Sequence, residues 1–141
     1  MSQFPYKKPI LFIDYLTLIQ SGQAYGGNSH LQVSEISKSL KTMAKDFDCP
    51  VICLAQLNRS VESRAEKRPM MSDIRESGSV EQDADVILFL YREAYYNKKT
   101  DNHSLEIIVS KNRNGPVGSI PVNYNVNTGR IEEQKESPTL V

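Results

Sequence analysis

The chain contains no tryptophan, and only two of its 141 residues are cysteine. Two thiols cannot build a disulfide framework. The spacing of Cys49 and Cys53 is neither Cys-x-x-Cys nor a zinc pattern, so free thiols in a reducing compartment are expected. Net charge is absent as well. Lys and Arg total 17 and so do Asp and Glu, so overall charge points to neither nucleic acid nor membrane, although it leaves room for a basic face. No apolar run approaches the ~20 residues that span a bilayer, and no secretory leader is visible. The expectation is a cytoplasmic protein with no membrane partner. What remains is an ordinary globular composition, 39% hydrophobic and 24% charged, at a length suited to one domain.

The organising stretch is Pro-Ile-Leu-Phe-Ile-Asp-Tyr at 9–15. Its apolar residues do not alternate, which suits a strand covered on both faces, as in a parallel sheet flanked by helices. The strand delivers Asp14 to its carboxyl end, the edge where open α/β sheets bind ligands. A second such run, 51–55, delivers Gln56 in the same way. Between them Val33, Ile36, Leu40, Met43 or Ala44, and Phe47 recur at helical spacing from a start near Ser29, where Ser29 and Gln32 fit a capping box. Pro50 forces a turn near Asp48. Strand, helix and strand make a βαβ unit with a right-handed crossover, so Asp14 and Gln56 share one sheet edge.

Periodicity then vanishes over 57–74, where Arg59, Arg64, Lys67 and Arg68 mix with Glu62, Glu66 and Asp73. This reads either as a solvated loop or as a mobile basic segment suited to polyanions. Glu76-Ser77-Gly78-Ser79 precedes a short helix expected over 80–84, capped by Ser79 with Gln82 at its third position. Gly78 lets a backbone come close to a ligand, and free amides at a helix start attract phosphate. Residues 85–91 form a third buried strand and 105–109 a fourth, with a polar loop at 92–103 between them. Lys111-Asn-Arg-Asn-Gly-Pro116 marks a hairpin into 118–124, with Lys111 and Arg113 presented together just before the turn. A further turn is expected at 127–129. Residues 1–8 read as an irregular lead-in and 134–141 as a disordered tail.

Taken in order, Phe12-Ile-Asp-Tyr-Leu16, Ala55-Gln-Leu-Asn-Arg59, Asp73-Ile-Arg-Glu-Ser-Gly-Ser79, Glu81-Gln-Asp-Ala-Asp85 and Lys111-Asn-Arg-Asn-Gly-Pro116 closely resemble the replicative DNA helicases of the bacterial DnaB type. The resemblance runs from about residue 9 to 131. It implies an α/β, RecA-like P-loop NTPase fold, partial here, with a mainly parallel central sheet flanked by helices and a C-terminal β-hairpin. It also implies a homo-hexameric ring that unwinds duplex DNA with ATP hydrolysis during replication, moving 5′ to 3′ on single-stranded DNA.

Residue by residue, Asp14 matches the Walker B aspartate that holds magnesium through water, and Gln56 matches the glutamine that senses the γ-phosphate. Arg75, Glu76 and Gly78 match the DNA-contacting loop. Lys111 and Arg113 look like the finger pair that reaches a neighbouring subunit's ATP.

The chain departs from the family pattern in one large respect. It has no Gly-x-x-x-x-Gly-Lys-Ser/Thr phosphate loop and no catalytic glutamate ahead of the Walker B strand, so it resembles the second half of the motor domain, 9–133. The phosphate loop supplies much of the nucleotide grip in such enzymes. ATP and Mg²⁺ are therefore expected as cofactors of the complete protein, with neither bound tightly nor turned over by this segment alone. Expected partners are single-stranded DNA, other helicase subunits and a helicase loader, with primase not engaged through this segment. Two alternatives stand beside this reading. One is a stand-alone non-catalytic subunit that docks on a helicase ring or binds single-stranded DNA. The other is a RecA-group recombinase, against which the Arg-Glu-Ser-Gly-Ser stretch and the hairpin argue.

Overall fold

Both unalternating apolar runs become strands, and they pair in parallel as expected. The computed structural model describes residues 8–19, 29–74, 77–100 and 104–134. Strand β1, Leu11–Ile13, lies beside β2, Val51–Cys53, in the register Leu11↔Val51, Phe12↔Ile52 and Ile13↔Cys53. Helix α1, Ser29–Asp46, is the crossover. Its stripe forms the core, with Val33, Ile36 and Leu16 buried and Ile19, Leu40, Cys53 and Val80 packed around them. The stripe stops short of Phe47, which is 72% exposed. Asp48, at φ 46°, already turns the chain there, and aspartate is one of the residue types that tolerate the left-handed region.

The chain divides into two compact units. One holds residues up to Leu57 together with Ile74–Ala84; the other holds Asn58–Asp73 and everything from Asp85. The first unit also contains a short helix, Ser77–Asp83. It packs on α1 through Ser37 Oγ donating to Asp83 (2.8 Å) and Ser79 Oγ donating to Ser34 Oγ (2.7 Å). Ser79 thus sits inside the helix and ties it to α1, where sequence patterning predicts a cap. Gln32 likewise uses its amide on the Ile19 carbonyl (3.2 Å). Burial of β1 and β2 on both faces is not met among the described residues. Alternation puts Cys53 toward the α1 core, and leaves Phe12 70% and Ile52 45% exposed on the other face.

The second unit holds the antiparallel sheet β3-β4-β5-β6: Val86–Tyr91, Leu105–Asn112, Gly118–Tyr124 and Ile131–Glu133. The expectation of a mainly parallel sheet therefore needs correcting for this unit, since among the described strands only β1 and β2 are parallel. A parallel return usually runs through a helix that crosses back along the sheet. The described residues of the β3–β4 link hold only a four-residue helix, Glu93–Tyr96, and the β4–β5 and β5–β6 links are five and six residues long. β4 and β5 form the expected C-terminal hairpin.

Alternation in β3 is strict. Ile87 and Phe89 are 7% and 4% exposed, while Val86, Leu88 and Leu90 face solvent. The expected turn at 127–129 is present, with Asn125 Oδ1 accepting from the amides of Asn127 and Thr128, and with Gly129 at φ 70°. The lead-in (apart from Lys8), the glycine-rich loop 20–28 and the tail beyond Gln134 lie outside the described residues.

Candidate functional site

Asp14 follows β1 directly, and Gln56 lies three residues past the end of β2, both exposed. The ladder closes around them: the Leu54 amide donates to the Ile13 carbonyl and the Leu16 amide to the Leu54 carbonyl, each at 2.9 Å. The two polar residues therefore occupy one edge of the parallel pair, as their spacing predicts. The Asp14–Tyr15 peptide is cis. Among the described residues no three His, Cys, Asp or Glu side chains gather as a metal cage. A lone exposed carboxylate suits a cation that keeps its waters and takes its other ligands from phosphate, which is how Mg²⁺ binds on nucleotides.

Arg75 and Glu76 lie outside the described residues. Gly78 lies in the first turn of the helix Ser77–Asp83, exposed, with nothing within 4 Å of where a Cβ would stand. Among the described residues neither backbone strain nor packing requires glycine there, so open backbone is what the position offers. Lys111 is in β4, opposite Ile87. Arg113 is past the strand end, in the connection 113–117, and not beside Lys111 on a strand face as expected. The ladder register shifts at Ile87/Leu88, and the Arg113 amide donates to the Asp85 carbonyl at 2.8 Å. Its guanidinium meets Asp85 at 3.1 Å, both about half exposed. A Cβ at Gly115 would stand 2.5 Å from Asn112 Nδ2, so the Asn112 side chain, which donates to the Pro116 carbonyl across the turn, would have to shift.

The segment 57–74 departs most from expectation. It is held, and several of its cations are turned inward. Asp73, with a side chain 3% exposed, takes both terminal nitrogens of Arg64 at 2.7 and 2.8 Å. A carboxylate so buried is tolerable only when paired, and removing one partner of such a pair costs ~3–5 kcal/mol. Lys67 donates to the Glu62 carbonyl. Arg68 reaches Glu106 and Ser119, and lies over the Tyr91 ring. Burial alone would raise the Glu106 carboxyl, but hydrogen bonds from Arg68 and Ser119 and the Arg68 charge outweigh it, and its pKa falls below the ordinary value. Around this anchor Tyr91, Tyr95 and Tyr96 pack on one another, with Lys67 over Tyr96 and Arg92 over both Tyr95 and Tyr124. Sequence reasoning passes over these partners because a buried ion pair and a solvated loop draw on the same residue types.

The DnaB-like helicase C terminal domain family matches residues 2–133. The replicative DNA helicase DnaB of Geobacillus stearothermophilus is 56% identical over 116 residues, 82% of this chain and 26% of the relative. The replicative DNA helicase DnaC of Bacillus subtilis is 54% identical over the same shares. Among solved structures, an ATPase domain superposes with a TM-score of 0.88 at 44% identity, covering 94% of this chain and 47% of the other. A DnaB-like replicative helicase, described with its interactions with primase, gives 0.89 at 44% identity, covering 94% and 32%. The chain thus spans about a quarter of the length of the curated relatives it matches.

Proposed function

Because this chain belongs to the DnaB-like helicase C-terminal domain family, we propose that it is the second half of an ATP-driven replicative helicase motor. The observation that carries the reading is the shared edge of the parallel pair. β1 leads directly to Asp14 and β2 to Gln56, and the chain from Gln56 leads on to the Arg75–Gly78 stretch. Asp14 would hold Mg²⁺ through water, and Gln56 would donate its amide to the terminal phosphate. Bound magnesium neutralises charge on the phosphates being split. The open backbone at Gly78 and the Arg75 guanidinium would grip phosphates without reading bases, as a motor indifferent to sequence requires.

Lys111 and Arg113 act in trans, on a neighbouring subunit's nucleotide, where such an arginine contributes ~10³–10⁵ in rate. That role needs a ring, so homo-hexamer assembly and single-stranded DNA are part of the proposal, as is a cytoplasmic setting. A helicase loader is a further partner, and primase is not assigned to this segment. The phosphate loop must come from sequence other than this chain, so the isolated polypeptide neither binds ATP tightly nor hydrolyses it.

The test is a chimera in which this chain replaces the matching 116 residues of the Geobacillus stearothermophilus helicase. Single-stranded DNA should stimulate its ATP turnover. Arg113→Ala should reduce that turnover by ~10³ or more while leaving the ring intact. An assembled chimera whose turnover ignores Arg113→Ala would refute the finger assignment, and one that shows no DNA-stimulated turnover would refute the function.

A further inference from the structure

One guanidinium closes the excursion 58–73 on itself. Arg64 gives Nη1 and Nη2 to the two oxygens of Asp73, Nη2 again to the Arg68 carbonyl (2.8 Å), and Nε to the Glu66 carbonyl (3.1 Å). The Met70 amide adds a third donor to Asp73 at 2.9 Å. The ends of the excursion are tied as well, with the Asn58 amide donating to the Asp73 carbonyl at 2.7 Å. The flanking residues Leu57 and Ile74 pair as an isolated antiparallel bridge, Ile74 being 5% exposed. Gln56 and Arg75 are each one residue from that bridge in sequence. The whole path along the excursion is thereby bypassed by a single pair of facing residues.

We propose that Arg64 and Asp73 are positioning residues that couple the Gln56 end of this hairpin-like neck to its Arg75 end. This rests on the helicase reading of Gln56 and Arg75. A slack loop between them would absorb a displacement of Gln56, because its ends have no fixed relation. A neck with fixed pairing passes the displacement across the Leu57–Ile74 bridge toward Arg75, the next residue in sequence. The fork of an arginine is what makes the lock specific. Lysine keeps the charge but cannot meet both carboxylate oxygens and two carbonyls together.

The experiment uses the chimeric ring and measures ATP turnover without DNA and its stimulation by single-stranded DNA. Arg64→Lys and Asp73→Asn are each expected to lose about tenfold of the stimulation, within the usual span of coupling between sites, while DNA-free turnover stays within about twofold. Because the pair acts through Gln56, adding Gln56→Ala to Asp73→Asn should lower stimulation no further than the stronger single change. Undiminished stimulation in both variants overturns the proposal. A proportional fall of DNA-free and stimulated turnover, or rings that fail to assemble, also overturns it, since either marks a pair that only holds the fold. An unsubstituted chimera with no DNA response overturns the helicase reading and the lock together.

Discussion

A glycine with nothing around it asks a different question from a glycine in a tight place. A side chain at Gly115 would press on the Asn112 amide that bridges the turn. Gly78 is not explained that way, because a Cβ would meet open space in the first turn of its helix. Alanine at 78 should therefore stabilise the helix by about 0.5–1 kcal/mol. If open backbone is there for phosphate, the same Gly78→Ala should weaken single-strand binding by the chimeric ring severalfold. A thermal melt and a DNA titration on one variant check both, and tighter or equal DNA binding would remove Gly78 from the contact set. The placing of Asp14 and Gln56 on one sheet edge was legible in the sequence because each ends an apolar run, whereas Gly78, expected ahead of its helix, lies in the first turn. Arg64 and Asp73 break no pattern. Nothing in a stretch of alternating charges says which two will be buried together.

Among elements, the parallel pair and its crossover helix were readable, because two apolar runs flank a 3.6-residue stripe long enough to be the crossover. Pairing direction in β3–β6 was not. Val86–Tyr91 is an apolar run like β1, and as in β1 part of it faces solvent, with Val86, Leu88 and Leu90 exposed while Ile87 and Phe89 are covered. An apolar residue facing solvent in this chain looks the same in sequence as one in a core. The link between the 57–74 excursion and β4–β5 is electrostatic and gives a pH signature. Glu106 has a pKa below the ordinary value of about 4.3. Such a carboxylate stabilises the fold above its unfolded pKa and loses that contribution as pH falls through its folded one. Stability of the polypeptide should thus drop between about pH 5 and the folded pKa. Glu106→Gln should be less stable at neutral pH, where Arg68 loses its partner, and should show a flatter acid limb. Urea unfolding from neutral pH down through the carboxylate range decides this, and an unchanged acid limb would mean that other carboxylates carry it.

For the polypeptide as a whole, the uncovered apolar surface is the feature that composition could not foretell. In the first unit Phe12, Ile52 and Leu54 are 70%, 45% and 54% exposed beside a sheet of two strands whose outer edges are unpaired among the described residues; in the second, Val86, Leu88 and Leu90 are 50%, 55% and 65% exposed. Contiguous apolar faces of this kind are surfaces that something else covers, and open strand edges recruit further strands. The described residues supply no cover, so these faces are where a second copy of the chain can pack. The purified 141-residue polypeptide should therefore self-associate with rising concentration. Phe12→Ser and Leu88→Ser, which remove exposed apolar area without touching the buried Leu16, Val33 and Ile36 or the buried Ile87 and Phe89, should shift it toward monomer. Sedimentation velocity across a wide concentration range measures this directly. A single monomeric species throughout for the unsubstituted chain would show that these faces are tolerated in water. The segment would then owe nothing to a covering partner for its solubility.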